Sequence, residues 1–238
     1  MCMSDYLDVL WATWPAAKET RVGVWTIRAG RGGGKRVSAA TATAPATATD
    51  LAQAEQAMRA LDQEPLFMIR AQDATLDALL QDNGYKIIDP VTVYAAPLSE
   101  LTTQRPPAIA AFTLWEPLEI MKEIWAGEGI GPSRLAVMAR VTGPKASILG
   151  RIQNRAAGAA FTAIHENTAM VHAMVVENAY RRQGTAINMM REAAFWAQDQ
   201  GATELAVVVT DDNADARALY ASLNMQPVGH YHYRKKQC

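Results

Sequence analysis

The chain has few cysteines, no long hydrophobic run and no excess of charge of one sign. Its two cysteines, Cys2 and Cys238, lie at opposite ends of the 238 residues, where they can form neither a disulfide framework nor a cysteine metal site. Apolar runs such as 169–176 fall far short of the roughly 20 residues of a membrane-spanning helix. Because Asp5 and Asp8 stand where a secretory signal is basic, we expect a cytoplasmic chain without a membrane segment.

The charges nearly cancel, with 23 Lys and Arg against 24 Asp and Glu, a net charge of -1 and a pI of about 6.4. Nucleic-acid-binding domains commonly have a basic face and a pI above about 9, so this class is disfavoured. Half of the residues are hydrophobic, which is enough apolar surface to form a core and excludes global disorder. The composition indicates a folded globular chain.

The first hundred residues predict an irregular mixture of helices and strands. A helix that Pro15 ends opens the chain, and residues 21–28 are β-branched and aromatic, which is typical of a strand. The glycine-rich run 30–36 (GRGGGKR) is favoured as a hairpin turn over a phosphate loop, because it lacks the following helix and the Ser or Thr directly after the lysine. Thr49 or Asp50 is expected to cap the next helix.

The second half has a clearer pattern. Two helices are predicted on either side of a break at 127–132, followed by strands over 146–152, 156–164 and 169–176. A strong helix over 184–200 then leads into strand, helix and strand. This order predicts an α/β or α+β sheet with helices on both sides.

A linker and a weak repeat divide the chain. Residues 97–107 (PLSELTTQRPP) are polar and carry three prolines, which is typical of a linker. A helix, a turn and an aromatic strand in ALLQDNGYKIID recur as ALYASLNMQPVGHY. The two patterns indicate two related segments, 1–106 and 107–238.

The most informative segment is 171–186 (VHAMVVENAYRRQGTA), in which an apolar strand leads through a short loop into an amphipathic helix. The first N–H groups of a helix have no intrahelical partner, and the helix dipole makes that end positive. Gly184 lets the backbone approach a phosphate closely, and the small Ala186 leaves that approach open. Neither the dinucleotide fingerprint nor the Walker loop is present, so the segment predicts a different kind of pyrophosphate site.

Two motifs in this half resemble those of the GNAT superfamily of acetyltransferases. Residues 181–186 fit its acetyl-CoA pyrophosphate signature, R/Q-x-x-G-x-G/A, and residues 213–220 fit its N-x-x-A-x-x-L-Y helix. The resemblance covers 107–238, whereas 1–106 resembles a degenerate half without the loop. Asn224 and Met225 stand where the family usually has Gly-Phe, and asparagine tolerates the left-handed helix end that glycine provides.

The resemblance implies a mixed, mostly antiparallel central sheet flanked by helices, here in tandem. It also implies acetyl-CoA as cosubstrate and direct acetyl transfer to a primary amine of a small molecule or peptide. The near-neutral charge, the short apolar runs and the lack of paired ligand spacing around the histidines separately predict no nucleic acid, membrane or metal. A homodimer is compatible with the resemblance. The competing hypothesis is a non-catalytic acyl-CoA sensor or interaction module.

The cofactor contacts that the resemblance implies lie on the strand, the loop and the second motif helix. The backbone N–H of Val176 is the implied oxyanion donor. The implied contacts are Met174, Val175, Val176, Arg181, Arg182, Gln183, Gly184, Thr185, Ala186, Asn213 and Tyr220.

Two residues are predicted to be catalytic. Tyr220 aligns with the family's general acid, and an ordinary pKa of about 10 keeps it protonated at pH 7. Strand alternation puts His172 on the face of Met174 and Val176, and arylalkylamine acetyltransferases have a histidine at this offset, so His172 is the predicted base. A structural histidine remains an open alternative, as does Glu177 as a rival base on the opposite face.

The tryptophans Trp115 and Trp125 fall in the helical region that shapes the acceptor pocket of this family. For both of them, core packing is the default expectation.

Overall fold

The computed structural model describes residues 3–236, with side chains described from Tyr6 onward. Cys2 and Cys238, whose placement at the termini excluded a disulfide framework, lie outside the described residues. Of the helices within 3–236, none combines the length and the apolar character needed to cross a membrane.

Helices and strands alternate along the described chain. The helices are α1 (Met3–Thr13), α2 (Ala48–Arg59), α3 (Ala74–Asp82), α4 (Leu98–Leu101), α5 (Glu119–Gly127), α6 (Pro132–Arg140), α7 (Thr185–Asp199) and α8 (Ala214–Ser222). The strands are β1 (Lys18–Val22), β2 (Trp25–Ala29), β3 (Thr41–Ala42), β4 (Leu66–Arg70), β5 (Tyr85–Pro97), β6 (Ala111–Leu114), β7 (Lys145–Ile152), β8 (Arg155–His165), β9 (Thr168–Val176), β10 (Glu204–Thr210) and β11 (Gln226–Lys236).

Within residues 3–236 the strands form a three-stranded sheet, β1-β2-β3, and an eight-stranded sheet ordered β4-β11-β5-β10-β9-β8-β7-β6. Only β9 and β10 run parallel, and the other described neighbours are antiparallel. Helices α1, α5 and α6 cover one face of the large sheet and α4, α7 and α8 the other. The expected mixed, mostly antiparallel sheet flanked by helices is confirmed.

The two segments of the chain exchange their last strands. The unit β4-α3-β5 repeats the order of β10-α8-β11, and the long strands β5 and β11 pair with each other at the centre of the repeat. As a result β5 lies beside β10, and β11 lies beside β4. The division into 1–106 and 107–238 stays a prediction, while strands from both sides of it share one sheet.

Several local predictions for the first half are wrong. The segment 21–28 is not one strand, because Gly23 at φ +55° turns the chain between β1 and β2. The second strand of the hairpin, which the turn at 30–36 predicts from Val37 onward, is absent there, because Val37 lies in a 3₁₀ turn (Lys35–Val37). The cap of α2 is Thr47, which forms a reciprocal capping box with Asp50.

Two elements near the linker were not predicted. The linker 97–107 contains the short helix α4, whose Leu98 and Leu101 are buried in the core against α7. Strand β6 pairs with β7 at the edge of the large sheet. Both elements are short, so neither shows a periodicity long enough to recognise in the sequence.

Candidate active site

The parallel strands β9 and β10 separate in the middle of the large sheet. They pair from Thr168 to Val171 of β9, whereas β9 continues to Val176 and β10 to Thr210. Beyond Val171, therefore, the edge of β9 that faces β10 has no partner strand. This edge offers free backbone hydrogen-bonding groups to an extended ligand.

A β-bulge marks the start of this gap. Ala173 and Met174 both lie opposite Ala160 of β8, and Ala173 has a positive φ of 49°. Such an insertion bends the strand and reverses the alternation of its side chains. The indole Nε1 of Trp125, from α5, donates to the carbonyl oxygen of Ala173 at 2.8 Å and fixes the bulge.

The bulge corrects the predicted face of His172. Met174 and Val176 pack on the α7 side of the sheet, whereas Trp14 and Phe161 on the α5 side surround His172. His172 therefore does not share a face with Met174 and Val176. The prediction assumed regular alternation, which the extra residue breaks.

Val176 points its backbone N–H into the gap. The N–H of the next residue, Glu177, donates to the Ala157 carbonyl at 2.9 Å on the β8 side. Because successive N–H groups along a strand point in opposite directions, that of Val176 faces away from β8. The Val176 carbonyl faces the same way and accepts from Arg181 Nε at 3.0 Å.

The N-terminus of α7 lies at the end of this gap. Its cap residue, Gly184, is left-handed with φ 86°, and no side chain caps the helix. The first intrahelical bond runs from Asn188 N–H to the Gly184 carbonyl, which leaves the preceding N–H groups free of helix partners. The hydroxyl of Thr185 is buried there without a hydrogen-bond partner among the described residues. These donors fit a pyrophosphate.

The loop before α7 is exposed and its cations are weakly held. The Arg181 guanidinium lies 3.6 Å from Glu128, and Arg182, itself left-handed at φ 61°, lies 3.5 Å from Asp215. Gln183 donates to the Ala179 carbonyl at 3.1 Å. Exposed ion pairs of this kind contribute at most about 1 kcal/mol, so a bound anion can replace either carboxylate at little cost.

The second motif places two more predicted residues at the gap. Asn213 caps α8 by accepting from the Ala216 N–H at 3.0 Å. Tyr220, near the end of the same helix, is buried with its ring 5.8 Å from that of Tyr94. Burial raises the pKa of Tyr220 to about 12, although the nearby Arg36 charge opposes this rise.

A cavity of about 1060 Å³ joins these features through the gap. Its lining includes the end of β9, the α7 loop, Asn213, Tyr220 and, on the other face, His172. Of the predicted contacts, all but Gln183 line it, and the rival base Glu177 is absent from the described lining. The volume is typical of a site for a cofactor-sized ligand.

The first segment of the chain supplies the partners of His172. Thr13 of α1 donates its hydroxyl proton to the Val9 carbonyl at 2.6 Å, so its oxygen accepts from His172 Nε2 at 2.8 Å. The Nδ1 atom therefore carries the lone pair, and it lies 3.4 Å from the Arg36 guanidinium. Burial, and then the Arg36 charge, hold the pKa of His172 well below its ordinary value, so the imidazole is neutral.

Thr13 and Arg36 were missed as functional candidates. Arg36 belongs to the glycine-rich run GRGGGKR, which connects β2 to β3 as a broad turn and whose Gly33 and Gly34 also line the cavity. The unusual run of glycines beside two cations was the available signal. Trp125 is buried as expected, while Trp115 remains 38% exposed and packs on Phe161.

Comparisons with known proteins agree with this geometry. Residues 119–225 match the family model of the acetyltransferase (GNAT) family. An uncharacterized N-acetyltransferase, YobR, of Bacillus subtilis (strain 168) is 24% identical over an alignment that covers 95% of each chain.

Solved structures share the fold at lower identity. A GCN5-related N-acetyltransferase from Kribbella flavida superposes with a TM-score of 0.68 at 18% identity, covering 100% of this chain and 97% of the other. A tandem GNAT protein from the clavulanic acid biosynthesis pathway gives 0.59 at 14% identity, covering 78% of this chain and 68% of the other. Residues 119–225 therefore match the GNAT family, and the chain has the fold of these GNAT structures.

Proposed function

We propose that this chain is an acetyl-CoA-dependent N-acetyltransferase that transfers the acetyl group directly to a primary amine of a small molecule or peptide. The observation that carries the proposal is the continuous cavity from the α7 N-terminus, through the gap between β9 and β10, to Tyr220 and His172. A site that only bound a cofactor would need the first part of this cavity and not the second.

The cofactor side of the cavity suits acetyl-CoA, which supplies an activated thioester. The free N–H groups of the first α7 turn would hold the pyrophosphate, with Arg181 and Arg182 beside it. The open edge of β9 from Met174 to Val176 would pair with the pantetheine arm. The Val176 N–H, which faces the gap, would donate to the carbonyl oxygen as negative charge develops there.

Tyr220 is the proposed general acid. Its raised pKa of about 12 keeps the phenol protonated throughout the neutral range. A thiolate leaving group therefore meets a proton donor whose charge state does not change between pH 6 and about 10.

His172 is the proposed proton acceptor. Its lowered pKa leaves Nδ1 unprotonated at neutral pH, although the same shift reduces its strength as a base. If His172 is the base, His172→Gln changes the acidic limb of the kcat/KM profile; an identical limb would make it a structural histidine.

The first experiment separates binding from catalysis. Acetyl-CoA at about 100 times its dissociation constant is expected to stabilise the protein by about 2.7 kcal/mol, seen as a higher Tm. Thiol release is then measured across a panel of amines. Absence of any stabilisation would contradict the proposal, and stabilisation without turnover of any amine would favour the sensor.

The second experiment uses Tyr220→Phe. We expect kcat to fall about 100-fold or more while acetyl-CoA affinity changes little, because the ring and its packing remain. Tyr94→Phe is the matched control, since Tyr94 contacts the Tyr220 ring and is absent from the described cavity lining. Equal activities of the two variants would remove Tyr220 from the mechanism.

A further inference from the structure

The cavity contains cations without carboxylate partners. Three carboxylates line it, and each is paired with a cation in the same lining: Asp89 with Lys35, Glu128 with Arg181 and Asp215 with Arg182. The lining cations left without a carboxylate among the described residues are Arg36 and Arg134.

Arg36 reaches the face of the sheet opposite α7. It follows Gly34 in the 3₁₀ turn, and its Nη1 lies 3.4 Å from His172 Nδ1. One of its five N–H donors is directed to that lone pair, which leaves the remaining guanidinium edges for another acceptor. A half-buried cation without a counterion is costly, so the arrangement favours binding of an anion.

Tyr231 points independently to a ligand. Its side chain is 97% buried and lines the cavity, and its hydroxyl has no hydrogen-bond partner among the described residues. Burial raises the pKa of Tyr231, and the neighbouring Arg36 and Tyr233 side chains oppose this rise, although neither meets hydrogen-bond geometry. A buried orphan donor beside an unpaired guanidinium is unusual for a region that serves packing alone.

Arg134 adds a second cation on this side of the cavity. Its Nε lies 3.6 Å from the position that a Cβ on Gly34 would occupy, so the guanidinium packs directly over the glycine-rich turn. The α7 N-terminus, where the cofactor pyrophosphate is assigned, lies on the opposite face of the sheet. The positive charge near Arg36 therefore belongs to the acceptor side.

We propose that Arg36 and the Tyr231 hydroxyl form an anion subsite for the acceptor, so that the amine substrate itself carries a carboxylate or phosphate group. This inference rests on the proposed function, because it assigns the substrate class of the same site. A guanidinium fork recognises either anion through paired N–H donors, and the tyrosine adds a third. The neutral His172 next to Arg36 then lies between the bound anion and the gap.

The test compares matched amines in the wild-type enzyme. L-amino acids are paired with their amides, and O-phosphoethanolamine with ethanolamine, which separates carboxylate from phosphate recognition. We expect a kcat/KM preference of about 10- to 100-fold for at least one acid-bearing class, the range expected of charged hydrogen bonds. A preference for the neutral members would overturn the proposal.

Arg36→Met removes the charge and keeps a similar length. It should raise KM for the acid-bearing amine about tenfold or more relative to its neutral partner, so that the kcat/KM preference within a matched pair falls by the same factor. Arg140→Met is the matched control, because Arg140 is also half-buried, donates to the Pro15 carbonyl and is absent from the described lining. If Arg36→Met lowers kcat equally for both members of a pair, Arg36 acts on the reaction rather than on an anion.

Tyr231→Phe removes the orphan hydroxyl without breaking a protein hydrogen bond, so folding should be preserved. We expect an unchanged or higher Tm together with a several-fold loss of the acid preference. A higher Tm with an intact preference would count against the subsite. If the protein binds acetyl-CoA and acetylates none of these amines, the rise in Tm that the acid-bearing amines cause is compared between wild type and Arg36→Met. A larger rise in wild type supports the subsite, and equal rises overturn the proposal.

Discussion

The indole of Trp125 donates a hydrogen bond of 2.8 Å to the carbonyl oxygen of Ala173, which stands at positive φ in the β9 bulge. The donor comes from α5, and the acceptor marks the point where β9 leaves β10. A buried tryptophan thereby holds an unfavourable backbone conformation that opens the sheet. The same hydrogen bond satisfies the Ala173 carbonyl, which would otherwise be a buried acceptor without a donor.

Trp125→Phe should loosen this bulge. Loss of one buried hydrogen bond, with the orphaned carbonyl, costs about 1–3 kcal/mol of unfolding free energy. We also expect weaker acetyl-CoA binding, because the open edge of β9 is less well positioned. Titration calorimetry measures the dissociation constant. Trp115→Phe is the control, since Trp115 is 38% exposed and outside the described lining. Equal acetyl-CoA affinities in both variants would contradict the role of the bulge.

Gly184→Ala tests the phosphate cradle against a matched glycine. Gly184 and Gly201 flank the two ends of α7 at φ 86° and 88°, and in both the space for a Cβ is open. Each alanine variant should lose about 1–2 kcal/mol of stability through left-handed strain. Only Gly184→Ala should also lose acetyl-CoA affinity, by about tenfold, because its methyl group projects toward the bound phosphate. The same affinity loss in Gly201→Ala would assign the effect to strain alone.

His172 should make the protein sensitive to mild acid. Its lowered pKa means that, as pH falls below about 6.5, the unfolded chain binds a proton that the folded chain excludes. The unfolding free energy then decreases by up to about 1.4 kcal/mol per pH unit. His172→Gln should flatten this slope, as measured by urea denaturation between pH 5 and 8. At pH 8 the side chain at position 172 is uncharged in both proteins, so the difference in their unfolding free energies there gives the cost of the lost contacts alone. Parallel slopes of unfolding free energy against pH would contradict the prediction.

Asp77 joins α3 to the last strand of the chain. Its carboxylate accepts two bonds from Arg234, at 2.7 and 2.8 Å, and one contact of 2.8 Å from His232. Asp77→Asn leaves the buried Arg234 charge unpaired and should cost about 3 kcal/mol, or roughly 6–12 °C in Tm by calorimetry.

The Asp77–Arg234 pair also predicts how the unfolding free energy changes at acidic pH. The Arg234 hydrogen bonds hold the pKa of Asp77 below its ordinary value, so its contribution is present above about pH 4 and is lost as pH falls through the lower folded pKa. Asp77→Asn should therefore converge with wild type in acid. A constant difference between the two proteins down to pH 2 would show that the loss does not depend on charge.

The local geometry of the β9–α7 loop and of α8 was predictable because its signal is local. The strand, the R-x-x-G-x-A loop and the helix after it are contiguous, and the chemistry of a free helix N-terminus depends on little else. The same holds for α8 with its cap at Asn213 and its tyrosine at Tyr220. The structure places both motifs at one cavity.

The surroundings of His172 were not predictable in this way. The bulge at Ala173 depends on a hydrogen bond from Trp125, 48 residues earlier, so strand alternation assigned His172 to the wrong face. The partners of His172 are further away still, since Thr13 and Arg36 precede it by 159 and 136 residues. No periodicity within a segment encodes such pairings, which follow from the way the first segment packs on the second.

Through the exchanged strands, the first segment supports the strand that bounds the gap. It lacks the phosphate loop, yet β5 supplies the hydrogen-bonding partner of β10, the strand that bounds the gap, and separates β10 from β11. Insertions or deletions there would shift the register of the strand beside the neighbouring active site. The first segment, although it lacks the loop, therefore forms part of the framework that sets the width of the gap.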